Sequence, residues 1–258
     1  MRPLIPCLCC TYGRPILLGE TIRCFLDQDY DNKEMVILND QEGVNLRLKN
    51  CPPNIRIYNH PTRFKSLGQK RNHLNKLAKG EYICLCDDDD LLTPWRLTES
   101  WKKIRHSGYD IVKTSHFLFS NNNAKYKMLE SGPGNCASQA VMTRAFIKRA
   151  RYPVDKSVGE DRAFERQGKL WMSPTELPFV WHVYRWGLSI YHMSGVAEKE
   201  SWKRSLTFKG HTAIKGDVLI RPKFERDYWD DIAKFLDSED EELGMRWRKK
   251  IKKSLEST

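Results

Sequence analysis

The sequence contains no long apolar run, no internal repeat and no low-complexity segment. No stretch approaches the roughly 20 apolar residues that span a bilayer, so we expect no transmembrane helix. The apolar run from Met1 to Cys10 is short, and Thr11 to Pro15 interrupts it without a small-residue cleavage site. We therefore expect no secretory signal peptide and a cytoplasmic location. With 258 residues, 40% of them hydrophobic, the chain can build one large α/β domain, alone or with a C-terminal appendage.

The chain also lacks the cysteine pattern of a small secreted domain, although it has eight cysteines. Their spacing is not that of a disulfide framework, so reduced thiols are expected. Cys7 and Cys9, like Cys84 and Cys86, are two residues apart within apolar runs and point to the same face of their strands. A zinc site built from these four thiols is one interpretation. Small buried side chains on neighbouring strands explain the pattern better.

Acidic residues are outnumbered, because 44 Lys and Arg against 33 Asp and Glu give a formal net charge of +11. A basic chain favours acidic partners, namely nucleotides, nucleic acid or an anionic membrane surface.

Four of the acids nevertheless stand together, from Asp87 to Asp90, directly after the apolar run from Tyr82 to Cys86. Carboxylate oxygens suit hard divalent cations such as Mg²⁺ and Mn²⁺, which complete their shell with substrate phosphates and water. The run therefore predicts a metal and diphosphate site at the end of a buried strand. The alternative is an acidic turn in which Asp90 caps the next helix, but a cap needs one aspartate only.

Strands alternate with helices over the first 115 residues, which indicates an α/β fold with a mostly parallel sheet. The predicted strands are Leu4 to Cys10, Met35 to Leu38, Ile55 to Tyr58, Glu81 to Cys86 and Tyr109 to Thr114, and the predicted helices are Pro15 to Leu26, Leu67 to Leu77 and Pro94 to Arg105. Beyond them we predict a hairpin of Phe117 to Phe119 with Tyr126 to Leu129, a helix from Thr143 to Arg149, a helix beginning near Glu160 and a strand from Phe179 to Tyr184. From Ala197 the sequence is highly charged, with helices predicted over Tyr228 to Leu236 and Glu239 to Leu255.

Several motifs occur in an order that resembles family 2 glycosyltransferases. They are Cys10 to Pro15 (like T-Y-N-R-P), Gln28 to Tyr30 (Q-D-Y), Val36 to Gly43 (V-V-D-D-G-S), Gly68 to Asn72 (G-x-x-x-A-R-N), Gly80 to Pro94 (G-E-Y-I-x-F-L-D-D-D-D-x-x-x-P) and Gly159 to Asp161 (G-E-D). The resemblance implies an inverting, nucleotide-sugar-dependent enzyme of the GT-A fold, a Rossmann-like sheet flanked by helices. It implies a GT-A domain over residues 1–195, with a nucleotide-sugar-binding half (1–115) and an acceptor and catalytic half (116–195). Residues 196–258 would form a charged helical extension.

The resemblance also assigns roles in the chemistry. Asp87 and Asp89 correspond to the D-x-D pair that binds Mn²⁺ or Mg²⁺, with Asp88 as a further ligand or a contact to the donor ribose. Asp161 corresponds to the general base that takes the proton of the acceptor hydroxyl. From its spacing alone, Asp161 is instead a first-turn carboxylate that the helix dipole favours.

The donor nucleotide is expected across the ends of the first, second and fourth strands. By resemblance, the residues expected to contact it are Thr11, Tyr12, Arg14, Asn39 or Asp40 at the base, Arg71, and Arg185 at the diphosphate. His192 is expected to contact the metal or the diphosphate. A UDP-sugar is the first candidate donor, although Asn39 stands where the family has an aspartate, and an amide can accommodate another base.

The acceptor is predicted from charge alone. Between Lys113 and Arg151 there are seven Lys or Arg residues and one acid, and a second basic run with an aromatic inside it extends from Arg246 to Lys253. These patches favour duplex DNA carrying a hydroxymethylated pyrimidine, as in a phage, which would be flipped out for transfer. A cell-surface glycan and docking to an anionic membrane surface remain alternatives.

The sequence disfavours two functions of other classes. A nucleotidyltransferase needs a Gly-rich lysine loop near the N-terminus, and Thr11 to Pro15 is not one. An inactive nucleotide-binding module is disfavoured by the intact acidic run and Asp161.

Overall fold

The computed structural model describes residues 2–121, 125–186 and 215–257. Its strands are β1 (Ile5–Thr11), β2 (Lys33–Asn39), β3 (Val44–Leu48), β4 (Ile55–Asn59), β5 (Tyr82–Asp87), β6 (Leu91–Leu92), β7 (Ile111–Thr114), β8 (His116–Asn121), β9 (Lys125–Glu130), β10 (Val141–Thr143), β11 (Leu170–Ser173), β12 (His182–Trp186) and β13 (Gly216–Ile220). Its helices are α1 (Pro15–Leu26), α2 (Leu67–Leu77), α3 (Arg96–Ile104), α4 (Arg144–Arg149), α5 (Glu160–Glu165), α6 (Tyr228–Glu239) and α7 (Glu241–Leu255).

The central sheet has seven strands in the order β11, β7, β10, β5, β1, β2 and β4. All neighbours are parallel except β10, which runs antiparallel between β5 and β7. Because β1, β2 and β5 are adjacent and parallel, their carboxyl ends meet at one edge, where open α/β sheets bind ligands. The predicted α/β class with a mostly parallel sheet is confirmed.

Some elements differ from the prediction. The strand predicted over Phe179 to Tyr184 is β12, which begins later, at His182. The helix predicted from Pro94 begins at Arg96. Strands β3, β6, β10, β11 and β13 were not predicted.

Within the described residues, two smaller sheets accompany the central one. The first has the order β6, β12, β8 and β9, in which β8 and β9 form the predicted antiparallel hairpin and β12 runs parallel to β8. In the second, β3 pairs in parallel with β13 and thereby joins the first half of the chain to the segment that precedes α6. The four-stranded sheet forms one wall of the cavity described below.

The C-terminal helices α6 and α7 pack on the same hydrophobic core as the central sheet. Trp247 of α7 is 1% exposed and meets Trp95 edge-on, with ring centroids 5.3 Å apart. Its indole Nε1 donates to the carbonyl of Trp229 at 3.0 Å. In the part of the chain that the structure describes, no helix combines the length and apolar character needed to cross a membrane.

The paired cysteines lie in that core. Cys7 is the register partner of Cys84 and Cys9 that of Cys86 on β1 and β5, and all four are free, buried thiols. Burial raises the pKa of the Cys9 thiol well above its usual range, so it stays protonated. The expectation of small buried side chains is confirmed.

Candidate active site

A cavity of about 470 Å³ opens at the carboxyl ends of β1, β2 and β5. Eight of the predicted site residues line it, namely Thr11, Tyr12, Arg14, Asp40, Arg71, Asp87, Asp89 and Asp161. They come from the end of β1, the turn after β2, helix α2, the acidic run after β5, and helix α5. The fold thus brings together residues up to 150 positions apart in the sequence.

The four aspartates of the acidic run alternate between the cavity and the interior. Asp87 and Asp89 line the cavity, with side chains 32% and 8% exposed. Asp88 and Asp90 are fully buried behind it. Strand β5 ends at Asp87, and the chain then turns, with the backbone N–H of Asp90 donating to the carbonyl of Asp87 at 3.4 Å. This turn presents the two carboxylates of the D-x-D pair to the same space.

Arginine and threonine hold the buried Asp88. The Arg14 guanidinium ion-pairs with Asp88 and donates through Nη1 to Asp89 Oδ2 at 2.5 Å. Thr11 Oγ1 donates to Asp88 Oδ2 at 2.6 Å. Burial raises the pKa of Asp88 to about 6, against the opposing effect of Arg14. Asp88 is thus held behind the acidic run and is not among the residues that line the cavity.

A second buried network holds Asp90. Its Oδ2 lies 2.9 Å from His182 Nε2 and accepts from Ser138 Oγ at 2.8 Å. Its Oδ1 accepts from the backbone N–H of Arg185 at 2.9 Å. Burial raises the pKa of Asp90 to about 7 and lowers that of His182 to about 3. This network connects the acidic run to β12. His182 is buried and does not line the cavity.

Arg71 joins the two acidic centres of the cavity. Its Nη1 ion-pairs with Asp161, and its Nη2 lies 3.4 Å from Asp87 Oδ1. Burial raises the pKa of Asp161 to about 7 although Arg71 opposes the shift. A carboxyl with a pKa near neutrality is suited to accept a proton at physiological pH.

The base of the cavity near β2 carries a further ion pair. Lys70 is 3% exposed and its Nζ lies 2.5 Å from Asp40 Oδ1 and 2.6 Å from the carbonyl of Thr11. Asp40 Oδ2 accepts from the backbone N–H of Phe64 at 3.0 Å. Lys70 thus fixes the turn that follows β2 against the end of β1.

Besides Asp88, two predicted donor contacts lie outside the cavity lining. Asn39 is fully buried, and its amide donates to the carbonyl of Val44 at 3.0 Å and to Asn59 Oδ1 at 3.1 Å. Arg185 is fully buried as well and ion-pairs with Glu20 Oε2 at 2.6 Å. Both side chains hold the framework behind the cavity. His192 lies outside the described residues.

Sequence reasoning missed several lining residues. On the charged side they are Lys70 and Arg63, whose guanidinium lies 4.2 Å from the centre of the Tyr12 ring. The lining also includes the aromatic residues Phe117, Phe119, Tyr184 and Trp186. Of these, Tyr184 and Trp186 were expected to pack in the core, with stacking on a sugar or a base as the alternative. The available signal was the alternation of aromatic residues in 117–119 and 184–186, which places each pair on one face of its strand.

The acidic run suits a divalent cation in the chemistry of its donors. Among the residues that the structure describes, no group of three or more His, Cys, Asp or Glu side chains is arranged to hold a metal ion. Mg²⁺, however, is usually bound through one or two carboxylates together with substrate phosphates and water. Asp87 and Asp89, both facing the cavity, match that requirement.

Comparisons with known proteins agree with this architecture. The family model described as glycosyl transferase family 2 matches residues 7–165. The WcaA protein of Escherichia coli (strain K12), named as a colanic acid biosynthesis glycosyl transferase, is 37% identical over 102 residues, 38% of this chain and 36% of WcaA.

The solved structures share the fold at low sequence identity. The S. aureus TarS 1-349 structure superimposes with a TM-score of 0.55 at 16% identity, covering 70% of this chain and 60% of that one. The same fragment in complex with UDP-GlcNAc gives a TM-score of 0.59 at 15% identity, covering 90% and 71%. The chain thus spans about a third of WcaA and 60% of the first of the TarS structures.

A family model that covers residues 7–165, together with a GT-A sheet and a cavity at the expected edge, defines the class of the protein. The chain belongs to glycosyl transferase family 2.

Proposed function

We propose that this protein transfers a sugar from a nucleotide-diphosphate sugar to a saccharide hydroxyl, with inversion at the anomeric carbon. The observation that supports this most directly is the link from Asp161 through Arg71 to Asp87 within one cavity. A proton acceptor and a carboxylate suited to a cation thereby share the space in which a donor and an acceptor can meet.

The proposed reaction is one displacement. The acceptor oxygen forms a bond to the anomeric carbon while the bond from that carbon to the diphosphate oxygen breaks, and the hydroxyl proton passes to Asp161. The electron pair of the broken bond leaves with the nucleoside diphosphate. Arg71 keeps Asp161 and Asp87 at fixed positions on either side of its guanidinium.

Donor binding is assigned to the charged side of the cavity. Tyr12, Arg14 and Asp40 border the space for the nucleotide, and the TarS complex with UDP-GlcNAc supports a UDP-sugar as the first donor to test. Asp87 and Asp89 would hold a Mg²⁺ or Mn²⁺ ion. Such an ion, when bound, offsets the charge that develops on the leaving diphosphate.

A saccharide acceptor fits better than the DNA acceptor that the charge pattern favoured. Of the basic residues behind that hypothesis, Lys113 is fully buried with Glu165 at 2.9 Å, and Arg149 pairs with Asp110 at 2.6 Å. Trp247, the aromatic inside the C-terminal basic run, is buried in the core and cannot stack on a base. The WcaA relative is named for colanic acid biosynthesis, which supports a glycan.

The donor half of the proposal is tested by incubating the protein with a set of nucleotide sugars and measuring release of the nucleoside diphosphate. We expect Mn²⁺ or Mg²⁺ to stimulate release of one nucleotide and EDTA to remove the stimulation. We expect Asp89→Ala to lose the stimulation and to weaken Mn²⁺ binding, followed by water proton relaxation. Asp155→Ala, at an exposed site outside the cavity, is the control. Equal release with EDTA and with metal would reject the cation, and no release from any nucleotide sugar would reject the donor assignment.

The raised pKa of Asp161 predicts the pH dependence. Because a general base works only when deprotonated, kcat/KM for transfer should fall about tenfold per pH unit below about pH 7. A general base with the pKa of an ordinary carboxylate would keep the enzyme active down to about pH 4. A pH–rate profile that stays flat between about pH 5 and pH 8 would contradict the raised pKa of Asp161.

A further inference from the structure

The cavity has an aromatic wall that the donor chemistry does not use. Strands β8 and β12 are parallel neighbours, and Tyr184 is the register partner of Phe119. Phe117, Phe119, Tyr184 and Trp186 all line the cavity, and we call this set the aromatic panel. The residues between them turn the other way, as Leu118, Val183 and Arg185 are fully buried on the opposite face.

The four rings form a continuous surface. The centroid of Tyr184 lies 6.2 Å from that of Phe117 and 6.0 Å from that of Phe119, and Trp186 follows at 6.4 Å from Tyr184. Leu129 of β9, the register partner of Phe117, extends the surface on its other side. Phe119, Tyr184 and Trp186 are only half-buried. Leaving aromatic surface open to water costs about 25 cal/mol per Å² of apolar area, so a ligand that covers it gains affinity.

The position of the panel assigns it to the acceptor. Arg14 and Arg71 carry guanidinium groups that suit a diphosphate, and Asp87 carries a carboxylate that suits its cation. These residues come from the central sheet and the segments that follow its strands. The panel comes from the four-stranded sheet and lines the same cavity. Asp161, the proposed proton acceptor, lines the same cavity, so a group lying on the panel can bring a hydroxyl to it.

The chemistry of the panel selects the class of acceptor. A pyranose ring has an apolar face of C–H groups, which packs on aromatic rings, and hydroxyls at its rim, which reach polar groups. The panel offers such rings, and Lys127 lies at its border, with its Nζ 5.1 Å from the centre of Phe119. A phosphate or carboxylate chain without sugar rings makes no such packing contact with the rings.

We infer that the aromatic panel is the acceptor subsite and that it binds a pyranose ring of a saccharide face-on, with Phe119 and Tyr184 at its centre. This inference rests on the proposed function, since it names the acceptor of the same cavity. It assigns Phe119 and Tyr184 to acceptor binding, with no part in donor binding or in proton transfer.

The first test measures contact directly. Methyl glycosides of glucose, galactose, mannose and N-acetylglucosamine are offered to the full chain, and the aromatic protons of the protein are saturated in an NMR saturation-transfer experiment. We expect transfer to ring C–H protons of at least one glycoside in the wild type and its loss in Phe119→Ala and Tyr184→Ala. Tyr109→Ala, which removes an exposed ring stacked on Trp171 outside the cavity, should leave the transfer unchanged.

The second test separates this inference from the proposed function. In Phe119→Leu, which keeps apolar volume, the acceptor KM should rise roughly fivefold to tenfold, the loss of one stacking contact, while donor hydrolysis stays at the wild-type rate. Donor hydrolysis with no glycoside contact, or with contact that survives in both alanine variants, would overturn the subsite alone. Absence of donor hydrolysis would instead overturn the proposed function. Saturation transfer to 5-hydroxymethyl-2′-deoxycytidine but to no glycoside would assign the panel to a nucleobase and overturn the saccharide class.

Discussion

Asp161→Asn is expected to lower the turnover number for sugar transfer by roughly 10²-fold or more, the range typical of losing a general base. Asparagine has the shape of aspartate and cannot accept the hydroxyl proton at neutral pH. Arg71 keeps Asp87 as an ion-pair partner in the variant, so the donor side of the cavity should retain its form. The KM for the donor should therefore change by no more than a few fold, because the lost interaction acts in the transition state.

The measurement is steady-state kinetics with the donor found by nucleoside diphosphate release, together with a pH profile of the residual activity. The variant should lack the loss of activity below about pH 7 that the wild type owes to Asp161. Asp155→Asn makes the same change of charge at an exposed site near the start of α5 and should behave as the wild type. Unchanged turnover in Asp161→Asn would remove this residue from the mechanism.

The sequence predicts some strands and not others, depending on whether a local pattern of residues defines the strand. Long apolar runs such as β1 and β5 were identified because their pattern is local. Strand β10 has three residues and pairs antiparallel with β5 and β7, which are both distant from it in the sequence. No local pattern therefore predicts this strand. Strand β3 was missed although Val44, Leu46 and Leu48 are buried and alternate with exposed Asn45 and Arg47, the period of a half-buried strand.

In the candidate site, too, the sequence placed some residues correctly and could not place others. The resemblance to the family's D-x-D pair was enough to place Asp87 and Asp89 together at the end of β5. It could not reveal that the Asn39 amide bonds to Val44 and Asn59, because those partners are fixed only by the pairing of β2 with β4 and the turn into β3. The sequence contained a signal for the buried face of α7, because Trp247 and Ile251 are four residues apart. The charged residues around them suggested an exposed surface instead.

The C-terminal helices have a physical connection to the acidic run through Glu20. Its carboxylate accepts from Arg185 Nη1 at 2.6 Å and from the Tyr228 hydroxyl at 2.7 Å, and it is fully buried on α1. Arg185 in turn donates through Nε to the carbonyl of Asp89 at 2.5 Å. A chain of hydrogen bonds thus runs from α6 through α1 to the residue that faces the cavity.

Glu20→Ala is expected to destabilise the fold by about 3–5 kcal/mol, because it breaks a buried ion pair between Glu20 and the Arg185 guanidinium. Tyr228→Phe removes one hydrogen bond to the same carboxylate and should cost about 0.5–1.5 kcal/mol, or more because its acceptor is charged. Asp217→Ala breaks an exposed ion pair with Arg47 and should cost under about 1 kcal/mol. Urea unfolding of the three variants gives the order directly. Equal stability of Glu20→Ala and Asp217→Ala would show that Glu20 contributes no more to stability than a surface charge does. The chain of hydrogen bonds from α6 to Asp89 would then make no measurable contribution to the free energy of unfolding.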